Sequence, residues 1–187
     1  MATEPKTQYT YADLERFPED NLRREIIDGE RIVTAAPATR HQQVVMTLAG
    51  ELYQHVKTHG GRLFPAPTDV FISDTNVVEP DILFVRPEHA ARVERKFVRS
   101  APDVVVEVSS PSTRRLELTR KRELYERFGV PEYWYADLDV DRVEVYALRA
   151  GGYGPPGILV RGDTLESDQV PGFVLAVADL LGEPEDG

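Results

Sequence analysis

Val44, Val45, Leu48, Leu52 and Val56 recur on one face of a 3.6-residue period, which predicts an amphipathic helix over 41–59 ended by Gly60-Gly61. Two runs with strand character follow, 62–73 around Val70-Phe71-Ile72 and 77–85 from Val77 to Val85. The polar stretch 87–100 is predicted to be a connector with a helical turn. The run 103–109 alternates: Val104, Val106 and Val108 share one face, and Asp103, Val105, Glu107 and Ser109 share the other. Ser110-Pro111 suits the N-cap and first position of a helix running to Phe128 and stopping at Gly129. A strand over 132–136 with a hairpin partner over 142–148, a turn-rich stretch and short strands complete the chain to Leu181. Nearer the start, Thr10-Tyr11-Ala12-Asp13 opens a short helix in the manner of a capping box, and Pro18 stops it. Asp28-Gly29 inside 25–33 predicts a hairpin, because a type I′ turn needs positive φ at both central residues. The order helix, strand, strand, strand, helix, strand, with hairpins around it, predicts an α/β sandwich about a mixed sheet.

The chain has 187 residues, which suits one domain of ~150 residues. We expect it over 9–181, with 1–8 and 182–187 as flexible tails. The absence of cysteine excludes disulfides, thiolate metal sites and cysteine nucleophiles. No apolar run approaches the ~18 residues of a membrane span, and the start lacks a signal-peptide pattern, so a soluble cytoplasmic protein is expected. A net charge of −10 disfavours a protein that coats nucleic acid. Residues 86–127, however, hold 11 Lys/Arg against 7 acids, a local net of +4 that leaves −14 for the remainder. That segment suits either local phosphate contact or a solvated face of mixed charge.

Three positions interrupt apolar runs. Glu107 sits among valines in mid-strand, where an unpaired carboxylate costs several kcal/mol and so needs a partner or a metal, unless the strand is an edge whose polar face meets water. Asp81 follows Pro80 within another strand-like run; alone it reads as a turn residue, but beside Glu107 on a neighbouring strand it would complete a pair of carboxylates suited to Mg²⁺. Lys121 breaks the helical stripe Leu118, Lys121, Tyr125, Phe128. It either snorkels, pairs with Glu117, or points inward at the two acids. His55 and His59 stand one helical turn apart without an evident third ligand, and a solvated helix end is the expectation. Asp137, Asp139 and Asp141 imitate a calcium loop, but Arg142 stands where its glycine belongs and Leu148 where its last ligand belongs, so a hairpin turn is expected.

Val78-Glu79-Pro80-Asp81, the stretch from Ala101 to Arg114 containing Glu107, and Glu117-Leu118 with Lys121 and Tyr125, followed by Gly129 to Trp134 and Asp137, together carry a resemblance. They are similar to the widespread bacterial family of putative restriction endonucleases within the PD-(D/E)XK nuclease superfamily. The hairpin acids Glu25, Asp28 and Glu30, and Arg40-His41-Gln42, are similar to that family's N-terminal half. The resemblance spans roughly 9–181. It implies a restriction-endonuclease-like αβββαβ core with a mixed sheet and added N- and C-terminal hairpins. It also implies Mg²⁺- or Mn²⁺-dependent hydrolysis of DNA phosphodiester bonds. Asp81 matches the Asp of the Pro-Asp motif and Glu107 the acid of the D/E-X-K motif, so both would hold the metal. The superfamily's usual lysine would fall at Ser109; the family pattern places it on the next helix, and Lys121 matches it as the third catalytic residue. Glu25 and His41 are second-tier candidates, and Ser109 is expected to be a hydrogen-bonding group rather than a nucleophile.

Cutting both strands needs two sites, so a homodimer is expected; Tyr133, Trp134 and Tyr135 would contribute to its interface if exposed, but a buried strand is the expected use of them. The alternative is a catalytically inactive module of the same fold that binds nucleic acid or protein. Asp81 and Glu107 are expected within about 6 Å of each other. Their repulsion should raise one pKa, and Asp81→Asn should leave stability unchanged or improved. Lys121 is expected beside Glu107, and charged.

Overall fold

The structure, a computed structural model, describes residues 8–18, 22–34, 36–109 and 113–183. The first helix, α1 (Tyr11–Leu14), is capped as its sequence suggests: the Thr10 amide and hydroxyl both donate to the Asp13 carboxylate, at 2.9 and 2.8 Å. Strands β1 (Arg23–Ile27) and β2 (Glu30–Thr34) form the hairpin, with Asp28 at φ 52° and Gly29 at φ 74°. Helix α2 (Thr39–His59) buries His41, Val44, Val45, Leu48 and Leu52, and the chain leaves it at Gly60, φ 83°.

The two strand-like runs that follow are each broken. The first divides into β3 (Arg62–Pro65) and β4 (Val70–Ser73), the second into β5 (Asn76–Val78) and β6 (Ile82–Val85). In both, the halves belong to different sheets. Pro67 and Pro80 stand at the breaks, and a residue without an N–H cannot continue a ladder. Asp81 therefore lies just before β6 rather than in mid-strand. A 3₁₀ turn (Pro87–Arg92) and β7 (Val98–Arg99) connect to β8 (Val104–Val108).

The next helix, α3, spans 114–127 in three pieces: Arg114–Leu116, a π-helical turn Glu117–Lys121, and Arg122–Arg127. The wider π turn shifts the buried stripe, so that Glu117, Lys121, Leu124 and Tyr125 are buried while Leu118 and Phe128 lie at its margin. The expected cap at Ser110-Pro111 lies outside the described residues, as do 1–7 and 184–187 of the expected tails. Strands β9 (Glu132–Asp137), β10 (Arg142–Arg149), β11 (Gly152–Tyr153), β12 (Gly157–Val160), β13 (Thr164–Glu166) and β14 (Val174–Ala176) precede α4 (Val177–Leu181).

The main sheet runs β11-β10-β9-β8-β6-β3, with β12 also on β10. β8 is central, antiparallel to β6 and parallel to β9, and α3 makes the crossover between the parallel pair. The series α2, β3, β6, β8, α3, β9 is the αβββαβ core. The second sheet, β2-β1-β5-β4-β7, is built from the N-terminal hairpin, the segment between β3 and β6, and β7 from the connection between β6 and β8. Alternation along β8 decides the layers. Val104, Val106 and Val108 pack with Val44, Leu48 and Leu52 of α2 and with Val177, Leu180 and Leu181 of α4. Val105 lies on the other face with Leu124 and Tyr125 of α3 and with Ile27, Val70 and Val78 of the second sheet. Tyr133, Trp134 and Tyr135 are fully buried in β9, so they present nothing to an interface.

Candidate active site

Continuing the antiparallel register Leu83↔Val105, Ile82↔Val106 by one residue sets Asp81 opposite Glu107. Both side chains then face the layer between the main sheet and the hairpin. Three further elements converge there: β1 brings Arg23 and Glu25, which share a strand face at i, i+2; α2 brings His41; and α3 brings Lys121 and Tyr125.

The two carboxylates have different neighbours. Asp81 accepts from Arg23 Nη1 (2.8 Å) on one oxygen, and from the Val108 amide (2.8 Å) and His41 Nε2 (3.1 Å) on the other. Burial favours its protonated form, but the His41 hydrogen bond and the Arg23 charge prevail and hold it well below the usual carboxylate range. Glu107 accepts from Lys121 Nζ at 2.5 Å and from the Tyr125 hydroxyl at 2.6 Å. Burial dominates there, the nearby Asp81 charge adds to it, and the group is pushed up to about 7 despite Lys121. Lys121 also reaches Glu25 at 2.8 Å and is 2% exposed, so it points inward and does not snorkel. Burial would lower its pKa, but Glu107 and Glu25 together raise it and keep it charged. Glu25 ties the hairpin to the site a second time by accepting the Glu79 amide at 2.8 Å.

This arrangement argues against the expectation that Asp81→Asn leaves stability intact. Asp81 is not an unopposed charge but an ion-paired acceptor of three donors.

The sequence reading missed Arg23, Glu79 and Glu117. Arg23 also stands 3.6 Å from Glu79 Oε2 and 4.0 Å from Glu107 Oε2. Glu79, inside the Val-Glu-Pro-Asp stretch, is pushed up to about 7 by burial. Glu117 is pushed up to about 8 by burial and then by Glu107. Its one sequence signal was the i, i+4 spacing to Lys121. Glu25, Glu79, Asp81, Glu107 and Glu117 thus gather around two permanent cations, Arg23 and Lys121.

This acid excess sets a pH dependence. A carboxyl whose folded pKa is raised binds its proton more tightly in the folded state, so it weakens the fold as pH rises from about 4.5 to its folded value. In chelator, the melting temperature should therefore be higher near pH 5 than near pH 8, and Glu117→Gln should flatten the trend. A melting temperature that climbs between pH 5 and 8 would contradict this.

Other expected features fall elsewhere. The Ser109 hydroxyl accepts the Leu138 amide at 2.8 Å, a structural tie at the end of β8. His55 and His59 stack at 4.1 Å, with Phe173 edge-on to His55. Asp137 and Asp141 flank the β9–β10 turn, where Asp137 binds Arg114 and Asp141 binds Arg40 and Arg161. Much of the basic segment is engaged in pairs: Arg86 with Glu88, Lys96 with Glu15, Arg99 with Glu94, Arg120 with Glu30 and Arg127 with Asp28.

A cleft of about 430 Å³ opens beside Asp81, with Arg23, His41, Glu79, Pro37 and Pro67 among its lining. Among the described residues, no group of three His, Cys, Asp or Glu side chains stands in a metal-holding arrangement. The donor chemistry nevertheless fits a hard divalent cation. Asp81 and Glu107 supply carboxylate oxygens, the local charge is short of cations, and the Arg23 guanidinium lies between the two acids as a cation in the protein's own covalent structure.

A family model described as Uma2, putative restriction endonuclease, matches residues 10–178. A crystal structure of a putative nuclease belonging to DUF820, from Anabaena variabilis, is similar in fold with a TM-score of 0.77. It is 20% identical and covers 92% of this chain and 97% of its own. No curated protein matches. Among the described residues no helix is long and apolar enough to cross a membrane.

Proposed function

From the premise that this chain belongs to the Uma2 family of putative restriction endonucleases, we propose that it is a divalent-metal-dependent endonuclease hydrolysing phosphodiester bonds in DNA. The observation that carries the reading is the convergence of Asp81, just before β6, with Glu107 of β8 and Lys121 of α3 in a buried acid-rich cluster, Asp81 standing at the wall of the open cleft. Asp81 and Glu107 would hold Mg²⁺ or Mn²⁺. The bound ion supplies activation of water and relief of the charge that develops on the phosphate. Lys121, held by Glu107 and Glu25, offers a fixed positive charge to orient the attacking water or the phosphate. His41 and the Val108 amide fix the rotamer of Asp81, and Tyr125 fixes that of Glu107. His41, Glu25 and Tyr125 are thus positioning residues.

The test is conversion of supercoiled plasmid to nicked or linear forms with Mg²⁺ or Mn²⁺, with chelator as control. No conversion under either ion, by protein shown to be folded, would sink the reading. One observation favours the inactive module instead: both Asp81 oxygens and Glu107 Oε1 already accept from protein donors. An inert module binds no Mn²⁺ and shows no metal-dependent thermal shift.

Cleavage of both strands at one place requires two such sites, and a two-fold homodimer is the simplest way to supply them. Light scattering at micromolar concentration should then give twice the 21.1 kDa of one chain. A mass of one chain across that range would rule the dimer out.

A further inference from the structure

The two cations of the site are held very differently. Lys121 is 2% exposed and contacts Glu107 and Glu25 at 2.5 and 2.8 Å, which uses its compact charge fully. Arg23 is 25% exposed and lines the open cleft. Among the described residues, only Nη1 of its donors makes a hydrogen bond, to Asp81 at 2.8 Å. Nη2 lies 4.0 Å from Glu107 Oε2 and Nε 3.6 Å from Glu79 Oε2, and both nitrogens are buried without a hydrogen-bond partner among the described residues. A planar guanidinium is suited to two parallel bonds with one carboxylate. Here its charge is spread over three acids, and it satisfies one of them.

We propose that Arg23 is a displaceable internal counter-ion: it occupies the divalent cation's place between Asp81 and Glu107 in the metal-free protein and swings into the cleft when the metal enters. The proposal rests on the metal-dependent reading above. Its physical basis is competition for the same oxygens. A compact doubly charged ion matches a pair of carboxylates better than a guanidinium that leaves two buried donors unsatisfied. The cleft gives the arginine somewhere to go, whereas Lys121 has no such exit. Without Arg23, the five acids of the metal-free site would face Lys121 alone, which accounts for a cation at a position that a metal site would otherwise keep free.

Calorimetric titration of wild type, Arg23→Gln and Arg23→Lys with Mn²⁺ tests this. Removing a competing unit charge within about 4 Å of the ligands should tighten Mn²⁺ binding by about tenfold or more in Arg23→Gln. Arg23→Lys keeps the charge and should stay near wild type. Binding by Arg23→Gln but not by wild type would overturn the proposal, since the arginine would then block the metal instead of yielding to it. If wild type binds and Arg23→Gln binds no more tightly, Arg23 is not the competitor, and the metal reading stands without it. If neither binds, both readings fall. Should Arg23→Gln not fold without metal, the wild type answers alone. On titration with Mg²⁺, the Arg23 Nε–Hε resonance should shift in step with occupancy, and an unmoved resonance at saturation would overturn the displacement.

Discussion

Lys121→Met is expected to cost about 3–5 kcal/mol of stability at pH 7, the range for removing one partner of a buried ion pair. For a chain of this length that lowers the melting temperature by on the order of 10 °C. Methionine keeps the stem's volume, so the loss isolates the charge. Glu107 and Glu25, each 1% exposed, would be left facing one another without the ammonium. The deficit should shrink as pH falls and the carboxyls take up protons, because a neutral acid no longer needs the lysine. Urea titrations at pH 8 and pH 5 measure this, and a deficit that is larger at pH 5 would contradict it. Lys121→Met/Glu107→Gln should recover part of the stability, since the orphaned charge is removed with its partner. In the nuclease assay, Lys121→Met should lose about 10²-fold or more in turnover, measured below its own melting temperature. Undiminished cleavage, with Asp81→Asn inactive in the same assay, would assign the role to another group.

Asp81→Asn is expected to reduce cleavage by about 10²–10³-fold, the range for losing a group that organises transition-state charge. It should also abolish any rise in melting temperature on adding Mn²⁺, because stabilisation by linkage requires a ligand that binds the folded state. An equal rise in wild type and variant would place the metal elsewhere. The substitution should destabilise the metal-free protein by about 1–3 kcal/mol, since an amide turns an NH₂ toward one of three donors that the carboxylate now accepts. The sign with pH is fixed by the depressed pKa of Asp81. Its stabilisation is complete above the unfolded carboxyl value of about 4 and is lost as pH falls through the lower folded value. The difference between wild type and Asp81→Asn should therefore be full at neutral pH and vanish in strong acid.

Much of the local structure was legible from the chain alone. The hairpin at Asp28-Gly29, the helix ending at Gly60 and the alternation of β8 rest on turn chemistry and on periods of 2 and 3.6, which involve only near neighbours. Glu107 and Lys121 were legible for the same reason, as charges set where the local period demands apolar side chains. Asp81 was legible only as a carboxylate partner for Glu107; Glu25 and His41 came from the resemblance to a family, and the geometry of all three came from the fold. The breaks at Pro67 and Pro80 were marked in the sequence, but the exchange of sheets across them is a matter of long-range pairing that no window shows. Glu117 was hidden by the π turn, which shifts the buried stripe away from a regular helical count. Arg23 was hidden altogether. An arginine opening a strand of a surface-like hairpin is ordinary, and the acid it binds lies 58 residues further along the chain. Only the packing of that hairpin over the main sheet decides that its guanidinium lies between Asp81 and Glu107, because the cost of gathering buried carboxylates is met by whichever cation the tertiary fold brings within a few ångströms.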